Sequence, residues 1–180
     1  MVFLWILIAA AGSVAGWLGA FALLNYVVSK SDRQKVFLGG TLPSGPPDGF
    51  YRGSAFLLGN ARVPWLGKSF EAENSKGFNI FKPAGASVLK VLTPFYTKFR
   101  QNELGNTDAY YFGTSTGRGF KDPGIDTFKL DYDSPENPFL IRIILDEIVE
   151  TAPQEFPGKV HLKVFPGFYA TIGYFGLRKE

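Results

Sequence analysis

The sequence predicts a mainly β protein: an N-terminal transmembrane helix, then an antiparallel β-barrel or strongly curved sheet. Three observations carry this. Residues 2–28 contain no charged side chain. The chain is rich in aromatics broken by turn formers, with 18 Phe, 8 Tyr, 21 Gly and 12 Pro in 180 residues, as expected of aromatic strands joined by tight turns. In two segments apolar and polar residues alternate: Phe128, Leu130 and Tyr132 against Thr127, Lys129 and Asp131, and Val160, Leu162 and Val164 against Lys159, His161 and Lys163. That is the period of a half-buried strand.

The first stretch reads VFLWILIAAAGSVAGWLGAFALLNYVV. About 20 apolar residues at 1.5 Å rise each suffice to cross a hydrocarbon core. Trp5 and Tyr26 sit near its two ends, where amphipathic rings favour membrane interfaces. Gly12, Gly16 and Ala20 recur every fourth residue, a small-residue face that another helix can approach closely. No basic residue precedes the run, and it is longer than the roughly 7–15-residue core of a cleaved signal peptide. A single-pass signal anchor is therefore predicted. Lys30, Arg33 and Lys35 follow it directly, which puts the remaining domain on the cytoplasmic side by the positive-inside rule. The division is an anchor over 1–29, a polar then Gly- and Pro-rich linker over 30–47, and a β domain over 48–180.

Composition bounds the chemistry. The formal charge of +3 is small and mixed with acids; it suits an anionic lipid surface and carries no basic stripe for nucleic acid. With no Cys, disulfides, thiolate catalysis and zinc–thiolate sites are excluded. His161 is the only histidine, so no histidine metal site can be completed. No cofactor is implied.

Strands are expected at 50–58, 64–70, 77–81, 109–116, 127–132, 159–165 and 168–177, the last apolar on both faces and closing the sheet. Residues 88–92 and 96–100 flank Pro94 and read as a broken region. Residues 137–151 are ambiguous. Asn137-Pro138 opens a helix well and the apolar positions follow a helical period, whereas IRIILDEIV is dense in β-branched residues and runs into a hairpin-like turn. The compromise is a short helix over 137–143 and a strand over 144–151.

The blocks PWLGKSF (64–70), YYFGTSTGRGFKDP (110–123), FKLDYDSPENP (128–138), DEIVE (146–150), GKVHLKV (158–164) and IGYFGL (172–177) together resemble a family of uncharacterised bacterial proteins. Those proteins carry W-L-G-K-x-F, a later L-G-K strand and a Y-F-x-L ending. More distantly, the W-x-G-K-x-F block is similar to strands of calycin-like barrels, the lipocalins and fatty-acid-binding proteins. Two positions depart: Val63 stands where the lipocalin signature has Gly, and Pro157 where the second block has Leu. The resemblance implies a barrel and brings no activity with it.

Four residues are candidates for ligand binding. Trp65 and Lys68 would place an indole at the base of a cavity and a cation at its mouth; the plainer alternative is a core plug beside a solvated lysine. Arg142 and Asp146, with Glu147, would form the polar floor of a pocket if buried, or a surface salt bridge if not. Phe95, Tyr96, Lys98, Phe99 and Arg100 alternate rings and cations, which suits a loop dipping into lipid headgroups. Asp131, Asp133 and Glu136 read as a turn; they lack the spacing of a calcium loop. Gly113 to Gly119 reads as a hairpin connection, and His161 as a surface residue between two lysines.

Two functions follow: binding of a lipid or other hydrophobic small molecule at the membrane surface, or service as a non-catalytic accessory subunit docked through the Gly12/Gly16/Ala20 face. No catalytic motif is recognisable, so an enzyme using Asp131, Glu136 or Asp146 is a weaker third. The partners implied are the bilayer, a hydrophobic small molecule and other transmembrane helices.

Overall fold

The computed structural model describes residues 30–56, 64–165 and 167–180, together with Gly16, Gly19, Ala22, Leu23 and Tyr26. Its strands are β1 (Gly49–Ala55), β2 (Trp65–Glu71), β3 (Lys76–Phe81), β4 (Arg100–Gln101), β5 (Thr107–Arg118), β6 (Asp126–Asp131), β7 (Ile144–Ile148), β8 (Glu155–Phe165) and β9 (Phe168–Lys179). They form one antiparallel sheet in the order β3-β2-β1-β9-β8-β7-β6-β5-β4, and β3 pairs again with β5. Eight strands therefore close into a barrel, and β4 lies against β5 outside the ring. Closure leaves no open sheet edge within the ring.

The up-and-down course gives the barrel two distinct ends. One end, termed the mouth, carries helix α2 (Pro83–Leu92) and the loop after it, the 132–143 connection with helix α3 (Phe139–Arg142), and the β8–β9 hairpin. The opposite end carries the turns at 72–75, 119–125 and 149–154.

The half of the interior away from the mouth is filled by rings. Tyr51 packs edge-on to Phe70 at 5.5 Å and tilted to Phe156 at 5.2 Å, and Phe70 meets Phe112 at 5.5 Å. Leu130, Ile148 and Leu177 complete this core. Offset and T-shaped ring pairs add to the burial of area itself. The inward face of β6 is the one its alternation predicts, with Phe128 and Leu130 buried and Tyr132 just beyond them.

Helix α1 (Asp32–Leu38) lies along the outer wall. Phe37, fully buried, packs with Val149 and Tyr174, and Ile125 flanks them. Gln34 accepts from the Tyr174 hydroxyl at 2.6 Å and donates to Asp122 at 2.8 Å. Within the expected 30–47 linker, residues 32–38 are thus strapped to the barrel, because Phe37 lies on the face that meets the wall. No helix among the described residues is long and apolar enough to cross a membrane. The predicted anchor lies almost wholly outside the described residues, as do Gly12 and Ala20; Gly16 is helical and exposed.

One segment departs from expectation, and one ambiguous segment is resolved. Helix α2 occupies Pro83–Leu92, beginning five residues before the 88–92 piece expected ahead of the break. Pro83 suits its first turn and Leu89 is buried among the core residues. The break does fall at Pro94: Thr93 is the helix C-cap. In 137–151 both expectations apply in turn, with helix at Phe139–Arg142 and strand at Ile144–Ile148.

Candidate binding site in the barrel

Three residues apart on a regular strand, Trp65 and Lys68 would face opposite sides of the sheet. A bulge brings them to one side: the register of β2 against β3 shifts between Trp65 and Gly67. Gly67 has φ +149°, and a Cβ there would collide with the Tyr51 carbonyl. The glycine of the W-L-G-K block therefore serves a close backbone crossing that lets both side chains enter the barrel.

Lys68 is buried, and its ammonium lies 2.8 Å from Asp146 Oδ2. It also donates to Asn79 Oδ1 at 3.0 Å and to the Tyr132 hydroxyl. Tyr132 in turn donates to Asp146 Oδ2 at 3.2 Å. Asn79 Oδ1 also accepts from Trp65 Nε1 at 3.0 Å, and Asn79 Nδ2 donates to the Tyr110 carbonyl at 3.1 Å and to the Tyr132 hydroxyl at 3.0 Å. The rings of Trp65, Phe112, Tyr132 and Phe175 surround the ammonium, with centroids 5.1 to 5.5 Å away. Burial pushes the Lys68 pKa down, and the Asp146 carboxylate opposes that shift. Burial also pushes the Tyr132 phenol well up, reinforced by the Asp146 charge. Asp146 Oδ1 is buried and has no hydrogen-bond partner.

This polar layer is the floor of an open cavity of about 320 Å³ in the half of the barrel nearer the mouth. Its walls are apolar, chiefly Phe81, Ile141, Ile144, Val160 and Phe175. The volume lies at the small end of the roughly 300–1,000 Å³ range of ligand sites, and apolar walls with few polar groups are their usual form. Gly173 lines the cavity, and a Cβ there would meet open space.

Of the four candidates named from sequence, Trp65, Lys68 and Asp146 come together in this cavity. Arg142 does not: it is half exposed at the end of α3 and pairs with Asp133 at 2.8 Å. The correction has a simple cause. Arg142 ends the short helix, and the expected strand follows at Ile144–Ile148 with Asp146 inward and Glu147 outward, so Arg142 does not share their faces. Lys68 also sits on the floor rather than at the mouth. Of the aromatic–basic loop, Phe95 is 96% exposed, and Lys98 and Arg100 are exposed as well. Tyr96 is instead buried and Phe99 half-buried, their rings 4.8 Å apart and both against Tyr110. Asn79, Tyr132 and Tyr110 were not anticipated as site residues. Only Tyr132 carried a signal, through its parity with Phe128 and Leu130.

The mouth is also where exposed apolar side chains gather. Phe95, Val91, Leu104, Phe139 and Phe165 are each two-thirds exposed or more, and all lie on its connections. Helix α1 starts at this end: the Arg33 guanidinium stacks 3.7 Å from the ring of Phe56, just past β1, and by Thr41 the chain pairs with Glu150 at the opposite end.

His161 corrects the remaining expectation, being fully buried. Its Nε2 lies 2.9 Å from Glu147 Oε2 and its Nδ1 3.2 Å from Thr171 Oγ1. Glu147 Oε1 accepts from Thr127 at 2.9 Å and from the Phe120 amide at 3.0 Å. This cluster lies on the outer wall, beneath the folded-back 119–125 turn. Beside it Lys159, also buried, is ion-paired with Asp122 and lies 4.8 Å from the Phe37 ring. An outward face that alternates like a wet surface is covered here by a turn and by α1.

Comparison with known protein families, curated proteins and solved structures gives no match. Fold and site together define a closed eight-stranded antiparallel barrel with a cavity above a buried ion pair.

Proposed function

We propose that this protein is a membrane-anchored barrel that binds a lipid or another hydrophobic small molecule at the bilayer surface. One relationship supports the reading above all. The cavity, the most exposed apolar residues and the start of α1, the first described element after the uncharged stretch, all lie at the same end of the barrel. An anchor over 1–29 leaves only Lys30 and Ser31 before α1. So short a connection holds the mouth within reach of the membrane. Apolar surface of this kind is costly in water and is relieved by insertion among acyl chains. The occupant of the rim is then the bilayer, and a ligand passes from the acyl region into the cavity without crossing water.

The test is native mass spectrometry of the full-length protein released from lipid nanodiscs, beside a Gly173→Phe variant whose new ring fills the cavity. The wild type should carry a stoichiometric apolar mass that the folded variant lacks. A bare wild-type barrel, or equal occupancy of both proteins, would overturn the reading.

A further inference from the structure

The polar floor is nearly saturated, and its one vacancy has a definite sign. Lys68 has three N–H donors, and Asp146, Asn79 and Tyr132 take all of them. Both amide protons of Asn79 are used, and its oxygen accepts twice. The Tyr132 proton goes to Asp146, and the Trp65 indole proton to Asn79. The Tyr110 hydroxyl, higher on the wall, is paired with Thr93 Oγ1 at 3.0 Å. Among the described residues no donor is left on the floor for a ligand. Among the described residues one acceptor there lacks a partner: Asp146 Oδ1, buried on a residue only 3% exposed that lines the cavity.

We infer that the cavity takes an apolar molecule with an uncharged, hydrogen-bond-donating head, a hydroxyl or an amide, which donates to Asp146 Oδ1. The inference rests on the ligand-binding reading above and names its chemical class. A carboxylate head, which a buried lysine would ordinarily suggest, is disfavoured here. It would bring a second anion to the buried, unpartnered carboxylate oxygen and find every Lys68 donor engaged. A hydroxyl or amide N–H instead forms a charge-assisted bond in a low-dielectric site, where such bonds are strong. The volume, about ten water volumes by the usual 30 Å³ share, holds a head and a chain of moderate length. A longer chain would extend out through the mouth.

The experiment uses the full-length protein in nanodiscs, with Trp5→Phe and Trp17→Phe leaving Trp65 as the sole indole. Three probes of one length, 10-bromo-1-decanol, 10-bromodecanamide and 10-bromodecanoate, are titrated at pH 8, and bromine quenching of Trp65 is read. The same background carrying Gly173→Phe gives the quenching due to probe in the bilayer alone. The alcohol and the amide should bind at least about tenfold more tightly than the carboxylate, the value of one good hydrogen bond. Lys68→Met with Asp146→Leu should abolish the preference among the three heads. Equal affinities, or tighter carboxylate binding, would overturn the inference and leave the binding reading standing. No quenching above the Gly173→Phe background for any probe, as for a floor satisfied by water alone, would instead overturn the binding reading itself.

Discussion

The guanidinium of Arg33 lies 3.7 Å from the centroid of the Phe56 ring. This contact ties the start of α1 to the end of β1 at the mouth. Phe37, one turn further along the helix, then seals the outer wall over Lys159. The segment that leads from the uncharged stretch is thus part of the barrel's packing. Phe37→Ala should cost about 3–5 kcal/mol, as emptying a fully buried ring position does. Thermal unfolding followed by near-ultraviolet circular dichroism measures it.

The Lys68–Asp146 pair should behave as a unit. Lys68→Met alone strands a carboxylate in the interior and should destabilise by about 3–5 kcal/mol. Adding Asp146→Leu should recover most of that loss, giving a large coupling in a double-mutant cycle. Additive losses would mean that the two charges are independently solvated.

Gly67 is the backbone condition for the site. Gly67→Ala should destabilise by about 2 kcal/mol or more, since it combines a strained φ with a clash against the Tyr51 carbonyl. Because the bulge also aims Trp65 inward, Trp65 emission should shift toward that of a wetter indole.

Acid should weaken the outer wall through Glu147. Burial alone would raise its pKa, but the His161 hydrogen bond and charge, the Phe120 amide and Thr127 outweigh it and hold the carboxyl below its ordinary value. A folded pKa below the unfolded one means that the contribution is complete above the unfolded value of about 4.3. It is lost as pH falls from there through the folded value. The stability gap between wild type and Glu147→Gln should therefore narrow on acidification from pH 6 to pH 3. Denaturant midpoints across that range read the gap directly.

The mouth should touch lipid and the opposite end should not. The chain has no Cys, so Phe95→Cys and Glu73→Cys each accept a single environment-sensitive fluorophore. Both positions are exposed, Phe95 at the mouth and Glu73 at the far end. In nanodiscs the label at 95 should shift to the blue and be quenched by brominated lipid, while that at 73 stays in water. Equal behaviour of the two would contradict the orientation.

The strands were legible because alternation and aromatic content report a half-buried pleated surface, and β6 shows it most plainly. The inward pairing of Trp65 with Lys68 was partly legible: residue types suggested a pocket, but only the bulge at Gly67 puts the two on one face. His161 was misplaced because another element covers its face. Sequence periodicity assigns faces within one element and is blind to what another element lays over that face. The folded-back 119–125 turn and α1 bury His161 and Lys159, and the strand geometry of 144–148 separates Arg142 from Asp146. The accessory-subunit alternative rests on the Gly12/Gly16/Ala20 pattern alone.

The most direct measurement is photocrosslinking in nanodiscs with a lipid carrying a diazirine on its acyl chain, mapped by peptide mass spectrometry. The account predicts adducts on the cavity walls, within Ile141–Asp146 and Ile172–Phe175, that disappear in Gly173→Phe. Adducts confined to residues 2–28, with none in the barrel interior, would contradict it.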